Sequence, residues 1–150
     1  EDSTLVAEWK LVIPEIKNYK IKDKYITGIK INTNVSDIDL GLDSIYTIKI
    51  TNKNNEVKTK GLICTGDIVS IYLDDNLVIS YVAVVKGDVT GTGNSSVSDV
   101  AKLYQYLKGK IDMEEHYVLA GNVVDTDNEI KIGDVAKLYQ FIKGKISGLE

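Results

Sequence analysis

The chain has 150 residues, 43% of them apolar, and a formal net charge of −4. That composition can build one packed domain or two small ones, while no stretch approaches the length of a membrane span. Neither the acidic balance nor any basic stripe points to nucleic acid as a partner. The single cysteine, Cys64, cannot close an internal disulfide. In the apolar stretch 61–65 it is expected to be a buried, unreactive thiol.

The chain opens at Glu1 rather than at a methionine and shows no signal peptide. It is therefore expected to be a processed or truncated piece of a longer protein. Residues 1–9, EDSTLVAEW, resemble the last strand of the Listeria–Bacteroides repeat of internalin-like surface proteins, which closes on a D-x-T-L-Y-A-x-W pattern. That resemblance implies another surface module ahead. Residues 1–24, with the only proline at Pro14, read as the tail of such a module and an extended lead-in.

Residues 25–86 read as a β-rich module. Tyr46, Ile48 and Ile50 alternate with Ile45, Thr47 and Lys49, the period of a strand with one buried face. The polar cluster 52–55 predicts a turn into a strand over 57–65. Residues 74–76 predict a second turn joining strands 67–73 and 77–85, so two hairpins are expected. Between the first strand and these hairpins, Val35, Ile38 and Leu42 fall at helical spacing with Thr33 or Ser36 available as N-cap, predicting a short helix or turn.

From residue 87 the character changes, with no Pro-, Thr- or Ser-rich linker between. So short a connection predicts that the two modules pack as one rigid body. DVAKLYQYLKGKI at residues 99–111 recurs as DVAKLYQFIKGKI at 134–146, identical at 11 of 13 positions and offset by 35 residues. One structural unit is present twice. Val100, Leu103, Tyr104 and Leu107 form an apolar helical stripe, and Val135, Leu138, Tyr139 and Ile142 repeat it. Gly109 and Gly144 stand where a left-handed residue ends a helix. Asp112 followed by Glu115 has capping-box spacing, predicting a third short helix over 112–119, whose Tyr117 and Leu119 would fill the core between the paired helices.

Each stripe is preceded by a loop rich in oxygen side chains. In the first, Asp88, Thr90, Thr92, Asn94, Ser96 and Asp99 follow calcium-loop spacing, with Gly93 at the sharp turn and a carboxylate closing the sphere. The spacing is strong and the charge weak, because threonines stand where Asp or Asn is usual. In the second, counting back from Asp134 brings in Asp125, Asp127 and Glu129. The first ligating position falls on Val123, so a one-residue insertion is needed for Asn122 to serve. One or two structural Ca²⁺ ions are the expected cofactor. A loop closed by its own hydrogen bonds is the alternative.

Residues 87–146, two-fifths of the chain, resemble a dockerin of the type I superfamily. GDVTGTG parallels that family's GDVNGDG, and SDVAKLYQYL parallels its S/T-D-x-x-x-L-x-x-Y-L. The preceding β unit looks like the small modules that often stand directly before dockerins. The fold class expected is therefore α+β: a small β-rich module (25–86) followed by an α-helical, dockerin-like pair of calcium loop–helix repeats (87–150). The resemblance implies a partner, a cohesin domain. The residues it carries over for that contact are Val97, Ser98, Tyr104, Gln105 and Lys108 in the first copy, and Ile132, Gly133, Tyr139, Gln140 and Lys143 in the second. For the two tyrosines, a place in the core is the competing reading. Since the copies nearly coincide, a partner could bind in two orientations related by a half-turn.

The function expected is non-catalytic: anchoring a larger extracellular, secreted or cell-surface protein through a cohesin, the piece itself being a monomer that inserts in no membrane. The alternative is a structural stalk or terminal cap with degenerate loops and no cohesin partner. Catalysis is not expected. His116 stands beside Glu114 and Glu115 with no nucleophile for a partner, and nothing suggests paired acids across a cleft.

Overall fold

The computed structural model describes residues 13–124 and 129–149. Strands β1 (Lys20–Lys22), β2 (Tyr25–Ile29), β3 (Tyr46–Thr51), β4 (Ile68–Leu73) and β5 (Asn76–Val85) form one sheet in the order β1-β2-β5-β4-β3. All neighbours are antiparallel except β2 and β5, which run parallel with Tyr25 opposite Val82 and Ile29 opposite Val85. The register slips between Ile26 and Ile29, where Gly28 takes φ +88°. Such a bulge needs a residue free of a Cβ.

Alternation along the strands gives the sheet two different faces. Ile26, Ile29, Ile50, Val69, Ile71, Tyr81, Ala83 and Val85 point to the larger core, joined by Leu40 and Ile63. Its lid is not a helix but irregular chain: Ile16 and Tyr19 from the lead-in, and Ile31, Val35, Ile38 and Leu42 from the crossing between β2 and β3. On the other face, Tyr25, Val82 and Val84 meet Leu119 and Ala120.

Three helices follow: α1 (Val97–Leu107), α2 (Glu115–Gly121) and α3 (Ile132–Ile142). α1 and α3 share a core of Val89, Leu103, Val123, Val135, Leu138 and Leu149. Each ends as the glycines predict. Gly109 and Gly144 take φ near +75°, at 75° and 76°, and the next amides, Lys110 and Lys145, reach back to the carbonyls of Gln105 and Gln140 at 2.9 and 2.8 Å. α2 leans on β5 of the sheet.

The two halves are joined by directed bonds as well as by packing. The Thr65 amide donates to the Asp88 carboxylate at 2.9 Å, Gly87 N–H donates to Ala120 O at 2.9 Å, and the Tyr25 hydroxyl donates to Glu115.

Several expectations are corrected. The fold is α+β, yet it is not a β module followed by a pair of calcium loop–helix repeats. Among the described residues it is a five-stranded mixed sheet followed by three short α-helices. The loop ahead of α1 is no autonomous unit, because it is seated against the sheet: Asn32 N–H donates to Gly93 O at 2.8 Å, and a Cβ at Gly93 would stand 2.6 Å from the Leu62 Cβ.

Residues 57–65 form no strand. Thr51–Val57 and Asn34–Leu62 are isolated bridges, and β3 pairs with β4 instead. The short helix or turn expected over 33–42 is present as one 3₁₀ turn, Val35–Asp37; only its cap differs, with Asn34 at the N-cap and the Thr33 hydroxyl spent on Lys30 O at 2.7 Å. The helix expected over 112–119 is Glu115–Gly121, with Glu114 rather than Asp112 at its N-cap. Leu119 packs on the sheet and Tyr117 lies against Gly66 and Gly91, so neither fills the space between α1 and α3.

Candidate functional site: the α1–α3 face

All ten residues assigned to partner contact are exposed. Val97 and Ile132 open α1 and α3, each 63% exposed, and two turns on Tyr104 and Tyr139 are 44% and 47% exposed. For the tyrosines this decides against the core. Leu103 and Leu138, one residue earlier, are fully buried, and a step of roughly 100° along a helix carries the next side chain off the core-facing stripe.

Val97, Val100, Ala101, Tyr104, Ile132, Val135, Ala136 and Tyr139 line one shallow depression. Its wall is almost wholly apolar and draws equally on both copies. Ala101 and Ala136 escaped the sequence reading, although their helical spacing from Val97 and Tyr104, and from Ile132 and Tyr139, is the signal that finds them.

Among the described residues of α1, α3 and their C-caps, the exposed charges are cations. Of the acids and bases in α1 and α3, Asp99 and Asp134 are buried, and Lys102 and Lys137 turn to the Val89 and Val123 carbonyls at 3.1 and 2.9 Å. What remains beside the depression is Lys108 and Lys143, each C-capping its helix. Their ammonium groups lie 5.6 and 5.8 Å from the ring centres of Tyr104 and Tyr139. Gln105, Gln140, Ser98 and Gly133 complete the exposed surface.

The residues expected to hold calcium in the first loop fall into two hydrogen-bonded sets. Asp88, fully buried, accepts the amides of Thr65, Thr92 and Gly93 at 2.8–2.9 Å, and the Thr92 hydroxyl donates to Asn94 Oδ1 at 2.9 Å. Burial pushes the Asp88 carboxyl up from its ordinary value, and the three amides pull it back. Asp99 accepts Val89 N–H, Thr90 N–H and the Thr90 hydroxyl on one oxygen, each at 2.9 Å. Its other oxygen takes the Ser96 amide at 2.7 Å and the Ser96 hydroxyl at 3.3 Å.

A hard cation needs six to eight oxygens turned towards it. Here both carboxylates are turned towards N–H and O–H donors. In the second loop Asp134 repeats the Asp99 pattern, accepting Val124 and Lys131 N–H at 2.9 and 2.8 Å. Asn122 is buried and Glu129 exposed, while Asp125 and Asp127 lie outside the described residues. Among the described residues, no three His, Cys, Asp or Glu side chains gather to hold a metal.

Two further groups sit near the junction. Cys64 is half-buried; burial pushes its thiol up, and its sulfur lies 3.5 Å from Lys58 Nζ, which bridges to Asp67 at 2.7 Å. His116 packs on Tyr117 with ring centres 4.3 Å apart. Burial lowers its pKa, aided by Lys24 and Lys102 and opposed by Glu114.

A histidine held neutral in the fold binds its proton less readily than in the unfolded chain. Stability is therefore undiminished above the ordinary histidine value of about 6.5 and falls as pH drops through it. Urea unfolding should show a lower midpoint at pH 5.5 than at pH 7.5, and His116→Gln should shrink that difference.

Comparison of the chain with protein-family models, curated proteins and solved structures finds no match.

Proposed function

We propose that this chain is a non-catalytic interaction module that docks through its α1–α3 face onto a partner domain of the cohesin class, so anchoring a larger extracellular protein in a complex or on a cell surface. One observation carries the proposal: eight residues, four from each copy, make one apolar depression with aromatic and β-branched side chains left at the surface. Contiguous apolar surface of this kind marks interaction sites, and exposed tyrosines are favoured anchors at them. The resemblance to dockerins supports the cohesin as the partner. The lysines add a further requirement, a partner that carries carboxylates around an apolar centre. A second copy of this chain meets that requirement poorly, since it would bring the same cations to the same face.

The test is calorimetric titration of the full chain against a panel of cohesin domains. Saturable binding to at least one of them, with a negative heat-capacity change from apolar burial, is the expected result. Failure with every cohesin would overturn this reading and favour a stalk, to which the bonds between the helices and the sheet through Asp88 and Glu115 also suit the molecule.

A further inference from the structure

We infer that the first loop, residues 88–99, is closed by protein hydrogen bonds in the place its spacing reserves for a cation, and that the turn ahead of β4 supplies one of those bonds. The two residues that should anchor a metal, Asp88 and Asp99, are both fully buried. Six amides converge on them: those of Thr65, Thr92 and Gly93 on Asp88, and those of Val89, Thr90 and Ser96 on Asp99. Two hydroxyls, of Thr90 and Ser96, add to the second set.

Buried carboxylates are costly unless their lone pairs are taken up, and amide donors stabilise the ionised form as a cation would. The threonines fit this role better than ligation. An Asp in place of Thr90 would bring a third carboxylate beside Asp99, and only a cation could offset that repulsion. A hydroxyl instead donates to Asp99 at 2.9 Å. The donor from Thr65 comes from the far side of the junction, 23 residues earlier. The same Thr65 is held by Val85, whose amide donates to its hydroxyl at 3.0 Å. The loop is thus locked through Thr65 to the end of β5, and the seat of α1 is set without metal.

The inference does not depend on what the α1–α3 face binds, and its test needs no partner. The ¹⁵N-labelled full chain is compared in EDTA and in millimolar Ca²⁺, read residue by residue so that the two loops report separately. The amides of Thr65, Val89, Thr90, Thr92, Gly93 and Ser96 should hold the same shifts in both. Scalar couplings across the hydrogen bonds from Thr65, Thr92 and Gly93 to the Asp88 carboxyl carbon should persist in both. A saturable calcium-dependent shift of these amides, with loss of those couplings, would overturn the inference. Asp88→Asn provides a second reading: it should lower the unfolding midpoint by the same amount in EDTA as in Ca²⁺. A deficit seen only in Ca²⁺ would mean that a cation holds the loop.

Discussion

Replacing Tyr104 and Tyr139 together with alanine should reduce affinity for a cohesin-class partner by roughly a thousandfold while leaving the fold intact. The two rings are the largest apolar groups in the depression and, at 44% and 47% exposed, lie free to be covered. A buried aromatic anchor is worth about 2 kcal/mol or more, and two of them correspond to about three powers of ten in Kd. Neither belongs to the buried set that joins α1 to α3, so the unfolding free energy should change by no more than about 1 kcal/mol. Calorimetric titration and urea unfolding of the same variant separate the two effects. Loss of binding with loss of structure would remove the argument, and retained binding would move the contact elsewhere. Changing Val97 and Tyr104 alone bears on the two orientations. If the copies are interchangeable, binding should weaken yet survive through Ile132 and Tyr139, and by the same degree as when Ile132 and Tyr139 are changed instead.

Asp88→Ala should be among the most damaging single changes in the second half of the chain. It leaves the amides of Thr65, Thr92 and Gly93 without their acceptor, and an orphaned buried donor costs about 1–3 kcal/mol. Removing a buried charge returns part of that, since burial already disfavours the ionised carboxyl. A net loss of about 3 kcal/mol remains a large fraction of the 5–15 kcal/mol typical of a domain. Asp88→Asn, which keeps one acceptor oxygen, should lose clearly less. Circular dichroism during urea unfolding measures both. Equal stability of Asp88→Ala and the parent would show that these bonds contribute nothing to the fold.

The helices were legible because their determinants are local. A stripe at i, i+3, i+4 and i+7 and a glycine at the end need only neighbours along the chain, and both copies carry them. The strand 46–51 was legible through alternation, and the strands 68–73 and 76–85 through the turn residues between them, which are local signals as well. Residues 57–65 misled because an apolar run says nothing about its partner. β4 took the edge of β3, and the run was left to pack Ile63 into the core through an amide bond to Thr33 O at 2.8 Å. β1 was hidden inside the lead-in by its length, three residues with two lysines, too short for a period to show.

The site divides along the same line. The sequence by itself determined a duplicated helix, its polar and apolar positions, and the acids at loop spacing, since those follow from residue type and interval. Only the tertiary structure decided that Leu103 and Leu138 go inward while Tyr104 and Tyr139 stay out, because the direction of the core depends on what α1 and α3 pack against. Only it decided the partners of the loop carboxylates. An aspartate at the right interval offers lone pairs to a cation or to amides alike, and the choice at Asp88 was made by Thr65, held there by its hydroxyl's contact with Val85, which no local pattern encodes.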